Sequence, residues 1–179
     1  MLLNPLFARA AVEVNEASEQ YAIRGKTAHD LRQEMRAKGP PGAGGRRFDG
    51  YTKWDVDWRY WYRQRGGMCT IDRVQIKVKI TTTLPVWQNE QDADDQTRTR
   101  WHRYREALVR HEDGHRQHGL AAARDVDRTL KALAAEKSCD ALGAKANESA
   151  KAIIGGYNQR DLDYDRDTNH GATQNARFP

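Results

Sequence analysis

The residues with the clearest chemical potential are His111-Glu112-Asp113-Gly114-His115. This run fits the His-Glu-x-x-His pattern of zinc hydrolases, in which two imidazoles four positions apart share one helix face and can hold one metal ion between them. Glu112 lies roughly 100° around the helix from His111, so it can lean over a metal-bound water as general base instead of competing for the same coordination direction.

The helix that must present these groups is legible around them. Trp101, Tyr104, Leu108, His111, His115, His118 and Ala122 recur in alternating steps of three and four, the spacing of a single buried stripe. Arg103, Arg105, Arg110 and Arg116 fall on other faces. Both motif imidazoles are therefore expected to point inward.

A catalytic zinc needs a third protein ligand and an open position. His118 shares the face but stands about 10 Å along the axis from His111, too far for one ion on an unbroken helix; a role in contacting substrate or supporting a ligand suits it better. The metzincin pattern would need Gly at 118 and His at 121, where this chain has His118 and Ala121. Glu136 would sit about 30 Å from His115 on a continuous helix. The remaining suppliers lie in the segment Asp161-Leu162-Asp163-Tyr164-Asp165-Arg166-Asp167-Thr168-Asn169-His170-Gly171. His170 is favoured by its softness for zinc, Asp165 is the alternative, and Tyr164 could donate to an oxyanion.

Other elements follow from local pattern. A strand is expected over 19–24 and a helix over 28–38, opened by Thr27 and Asp30 in an approximate capping box. The Gly- and Pro-rich run 39–45 is a loop lacking the Lys-Ser/Thr ending of a phosphate loop. Alternation over 51–62 (Trp54, Val56, Trp58, Tyr60, Tyr62) and over 71–83 (Val74, Ile76, Val78, Ile80) predicts an antiparallel hairpin turning at Arg65-Gly66-Gly67-Met68. The motif helix is expected over 97–137, followed by a reversal and an antiparallel helix over 144–160. From Asp161 a polar tail without regular periodicity returns towards His115. The expected fold is α+β: a small antiparallel sheet packed on a long helical hairpin that carries the motif, zincin-like.

With 179 residues, 38% hydrophobic and 31% charged, the chain suits one domain, here 19–179, preceded by an N-terminal segment 1–18. Ala8-Arg9-Ala10, after a short apolar run, resembles the end of a secretion signal. No transmembrane segment is expected. The net charge of +5 is spread among many acids, which describes a solvated surface and not a specific nucleic-acid partner. The strict alternation of the aromatic strand likewise reads as core, not as a stacking platform for single strands. Cys69 and Cys139 have no metal-site spacing; in an exported protein they would form one disulfide.

The chain also resembles the bacterial domain-of-unknown-function 922 family, described as predicted secreted zinc-dependent proteases. The resemblance is carried by Tyr21 to Gly25 with the following helix, Gly50-Tyr51-Thr52-Lys53-Trp54, the Cys69 strand, Leu84-Pro85, Trp101 through His115, and Tyr164 through Gly171. It implies an exported zincin-type metallopeptidase, periplasmic or secreted. The expected activity is zinc-dependent hydrolysis of a peptide or protein substrate, with His111, His115 and a residue of the 161–171 segment holding Zn2+ and Glu112 moving the proton. Two rivals share the motif: a zinc amidase acting on cell-wall material, and a non-catalytic envelope module stabilised by its metal.

Overall fold

The computed structural model describes residues 12–42 and 45–179, so Ala8-Arg9-Ala10 lies outside the described residues. The architecture is α+β, in the order β1 (Val12–Ile23), α1 (Ala28–Lys38), β2 (Tyr51–Arg65), β3 (Met68–Trp87), α2 (Asp95–Lys131) and α3 (Cys139–Thr168). The strands form one sheet in the order β1-β3-β2.

β2 and β3 pair antiparallel from Tyr51↔Thr83 to Arg65↔Met68. The turn between them uses Gly66 and Gly67 at φ +60° and +74°, the two successive left-handed positions of a type I′ hairpin that matches strand twist. A bulge opposite Trp61/Tyr62 leaves Val74, Ile76, Val78 and Ile80 buried together with Trp54 and Val56.

The sheet is mixed and not antiparallel as expected, because β1 runs parallel to β3, from Val12↔Ile76 to Ile23↔Trp87. β1 also starts at Val12 instead of residue 19, so 12–18 belong to the sheet. The reason the sequence hides this is burial: most of β1 is exposed, so it carries no apolar alternation and is held by main-chain pairing and by ion pairs such as Lys77–Glu13 and Arg116–Glu16.

α2 packs against two apolar clusters in turn. Its first half, with Trp101, Tyr104 and Leu108, meets Ile23, Leu31, Met35, Trp87 and Phe178. Its second half, with Ala122, Ala123, Val126 and Leu130, meets the inner face of the sheet and Ala146, Ala150 and Tyr157 of α3. The motif histidines occupy the interval between these clusters. Just beyond them, Gly119 lets the Trp54 ring lie on the helix, since a Cβ there would come within 2.6 Å of the indole.

Both helices of the hairpin have boundaries other than those expected. α2 ends at Lys131, not 137, because Glu136 pairs its backbone with Cys69 (N···O 2.7 and 2.9 Å) and so leaves the helical path. Ser138 then caps α3, its hydroxyl accepting from the Ala141 amide at 3.3 Å. α3 continues through the stretch expected to be an irregular tail, to Thr168, closed by Asn169 in the left-handed region at φ 49°. The Thr27–Asp30 capping box of α1 is present.

Cys69 and Cys139 are disulfide-bonded, tying the start of β3 to the start of α3. Closing a loop of sequence separation 70 stabilises by about 4 kcal/mol in the chain-entropy treatment. Cys139→Ser, or reduction of the native protein, is expected to lower the urea midpoint accordingly, with the oxidised protein showing no titratable thiol when unfolded. An unchanged midpoint would show that the bond adds no constraint.

Candidate metal centre

Antiparallel packing of α2 and α3 sets two aspartates, one helical turn apart, against two histidines one turn apart. The Nε2 atoms of His111 and His115 each lie 3.1 Å from the same Asp165 Oδ1. The edge of a tetrahedron around zinc with ligands at about 2.0–2.1 Å is roughly 3.3–3.4 Å, so the three atoms stand nearly where ligands of one ion would stand. His111 and His115 are buried and Asp165 is half-buried.

The outer hydrogen bonds decide the tautomers. His115 Nδ1 is 2.9 Å from Asp161 Oδ1, an acceptor, so Nδ1 carries the proton and donates it. His111 Nδ1 is 3.0 Å from Gln174 Oε1, which calls for the same tautomer. Both Nε2 lone pairs then face a carboxylate oxygen, an arrangement that is repulsive unless a cation, a proton or a metal ion, lies between them. Without a metal, the proton serves: burial would lower the His115 pKa, but hydrogen bonds to Asp161 and Asp165 and the charges of Asp165 and Glu112 raise it to about 10. Burial pushes Asp165 upward, yet its bonds to His111 and His115 hold it well below the usual carboxylate range.

Asp161 organises the layer behind. Its Oδ1 also meets His118 Nδ1 at 2.6 Å, and its Oδ2 accepts from the Trp54 indole at 2.6 Å. His118 thus acts through Asp161 on the far side of His115, and these three residues form a second group of convergent donor atoms. Sequence reasoning did not single out Asp161, Gln174 or Trp54 for this; the one available signal was the spacing of Asp161 and Asp165, which matches that of the histidines.

Glu112 is 4% exposed. Burial raises its pKa, opposed by a hydrogen bond with Thr52 and by the charges of His115 and His111. Its Oε2 is buried without a hydrogen-bond partner, and the backbone closes over the carboxylate at Gly50, where a Cβ would stand 2.7 Å from Oε1. Glu112, both histidines, Asp165 and Thr52 line a cavity of about 580 Å³ that opens to solvent.

The other expected site residues take different places. His170 is half-exposed, with Nδ1 3.4 Å from the outer oxygen of Asp165 and its ring 5.3 Å from Phe48. It stands beside Asp165, the residue whose oxygen converges with the two histidines in a group that could hold a metal ion. Tyr164 stacks on His111 with ring centres 4.9 Å apart. Its hydroxyl donates to the His111 carbonyl at 3.4 Å and meets Gln174, packed where a side chain at Gly114 would collide with it. What it brings to the centre is its ring, not a free donor.

Two measurements follow. Asp165→Ala is expected to weaken zinc binding by more than about 100-fold, beyond the 10–100-fold typical of outer partners, whereas His170→Ala stays under about tenfold; the reverse order would return the third position to His170. Because its carboxylate partners raise the His115 pKa to about 10, the imidazole is expected to be protonated at pH 7 and to give up that proton when zinc binds. Calorimetry in buffers of different ionisation enthalpy should therefore register about one proton released per zinc at pH 7, with affinity rising as pH rises. Zinc binding without proton release would exclude this arrangement.

No helix among the described residues is long and apolar enough to cross a membrane. No curated protein and no solved structure matches the chain. Residues 18–171, which include β2, β3, the second half of β1, both long helices and every convergent donor described above, match the family described as "Bacterial protein of unknown function (DUF922)", and the chain belongs to that family.

Proposed function

We propose that this protein is an exported, zincin-like metallopeptidase that uses zinc to hydrolyse peptide bonds. The observation that carries the reading is the Glu112 carboxylate, buried with one oxygen unpartnered, beside two imidazoles and a carboxylate that converge on one point. A mixed set of two nitrogens and one oxygen suits zinc among the common metals. Opening of the set onto a cavity favours a catalytic centre over a purely structural one, since structural zinc sites are closed by four protein ligands.

Zinc, when bound, supplies Lewis acidity that polarises a carbonyl and acidifies water at the site. His111, His115 and Asp165 would hold it; Gln174 and Asp161 fix the imidazole tautomers from behind. Glu112 takes a proton from the attacking water at Oε2 and passes it to the departing amine. Its pKa, raised by burial, brings it nearer the pH at which both transfers are efficient. Gly50 and Thr52 hold the carboxylate at its post.

A peptide is the favoured substrate because β2, among the described residues, is an edge strand paired only to β3. Beside it, Thr52, Trp54 and Val56 of the strand and Ile154 and Asn158 of α3 line a groove that reaches Asp161. An extended peptide can add to such an edge by main-chain hydrogen bonds. The disulfide is compatible with a location outside the cytoplasm.

Glu112→Gln tests the reading, because the amide keeps the shape but cannot accept the proton. The zinc-loaded variant is expected to retain metal and fold while its turnover of a peptide selected from a quenched-fluorescence library falls by at least about 10²-fold. Full activity in that variant would remove Glu112 from the mechanism and leave a metal-stabilised module as the better description.

A further inference from the structure

The same cavity has a second, chemically distinct end. Arg32, Arg36, Arg46 and Arg47 line it beside Phe48 and Asp49. Arg32 is already committed: its Nη1 donates to both oxygens of Asp49 at 2.9 and 2.7 Å, and its Nη2 to the Phe178 carbonyl at 2.8 Å. That pairing leaves Arg36, Arg46 and Arg47 with no carboxylate partner among the described residues. Arg47 is steadied by donating to the Gly39 carbonyl at 2.6 Å, and Arg46 lies over the Phe48 ring at 5.9 Å.

This end is continuous with the metal centre. Phe48 contacts the His170 ring at 5.3 Å, and His170 adjoins Asp165. Two residues after Phe48, Gly50 touches Glu112. The arginine-bearing loop is itself braced, Gly42 donating to Arg46 O at 2.7 Å and Phe48 to Pro40 O at 3.0 Å. The acidic groups of the cavity other than Asp49 are Glu112, Asp161 and Asp165, all engaged at the metal centre. The arginine end therefore carries an uncompensated positive charge, and guanidinium groups bind carboxylates by charge-assisted hydrogen bonds.

We infer that this end is a specificity pocket for a carboxylate, so that the preferred substrate is an acidic peptide with a carboxylate close to the scissile bond. The inference rests on the metallopeptidase reading of the same site. The carboxylate is drawn towards Arg36, Arg46 and Arg47, and the substrate is thereby oriented along the cavity with its reacting carbonyl at the metal end.

The test uses two chelating probes of similar shape, glutaryl-glycyl-hydroxamate and its neutral twin valeryl-glycyl-hydroxamate, titrated into zinc-loaded wild-type protein. The hydroxamate seeks the metal in both, and the tail carboxylate is present in only one. The glutaryl probe is expected to bind about tenfold more tightly at low ionic strength, the sum of a few partly exposed ion pairs, with the advantage shrinking as salt is added. In the triple variant Arg36→Gln, Arg46→Gln, Arg47→Gln the ratio of the two affinities should fall to about one, and the Lys versions of the three should restore part of it; the thermal midpoint of each variant checks its folding. Equal binding of both probes by the wild type would overturn the carboxylate pocket while leaving the metal centre intact. Failure of both probes to bind zinc-loaded protein would overturn both readings.

Discussion

The centre depends on the axial match between two antiparallel helices. His111 faces Asp165 and His115 faces Asp161, so a four-residue step on α2 is answered by a four-residue step in the opposite sense on α3. Each imidazole thereby has a carboxylate to work against, and Asp165 reaches both. Neither helix supplies the full set alone: α2 brings the two imidazoles on one face and α3 brings the carboxylates that meet them.

Such a concentration of ionisable groups is costly to bury unless every member is paired. The protein meets that requirement by supporting the helices on both sides of the site. The aromatic cluster around Trp101 and Phe178 fixes the first half of α2, and the sheet face fixes the second. Between them the polar network is almost closed: Trp54, Gln174 and His118 complete the outer shell. Glu112 Oε2 is left over. A leftover acceptor in an otherwise satisfied network is poor for stability and useful for moving a proton.

Much of this was legible in the chain itself. The stripe from Trp101 to Ala122 identified α2 and the inward direction of its histidines; Thr27 and Asp30 marked the start of α1; Gly66-Gly67 marked the hairpin turn. What escaped notice had weak local signals. β1 is an exposed strand whose order is set by its neighbour's backbone, and no apolar periodicity records that. The last turns of α3 are rich in Asp, a poor helix former, yet they are ordered by partners far away in sequence. Gln174 gains its role from tertiary proximity alone. Asp165 converges with the two histidines because α3 runs on to Thr168 and carries it there, while His170, attractive by residue type, stands beside Asp165.

The disulfide has a geometrical consequence at a distance. Cys139 is the first residue of α3, and Asp161 lies about 33 Å further along at 1.5 Å per residue. The bond acts as a datum from which the helix is measured out, like the zero mark of a vernier. Adding or removing one residue between the datum and Asp161 would rotate the following carboxylates by about 100° and slide them by about 1.5 Å, turning both away from the imidazoles. Loops elsewhere can change length at small cost, but this span is gauged to the residue.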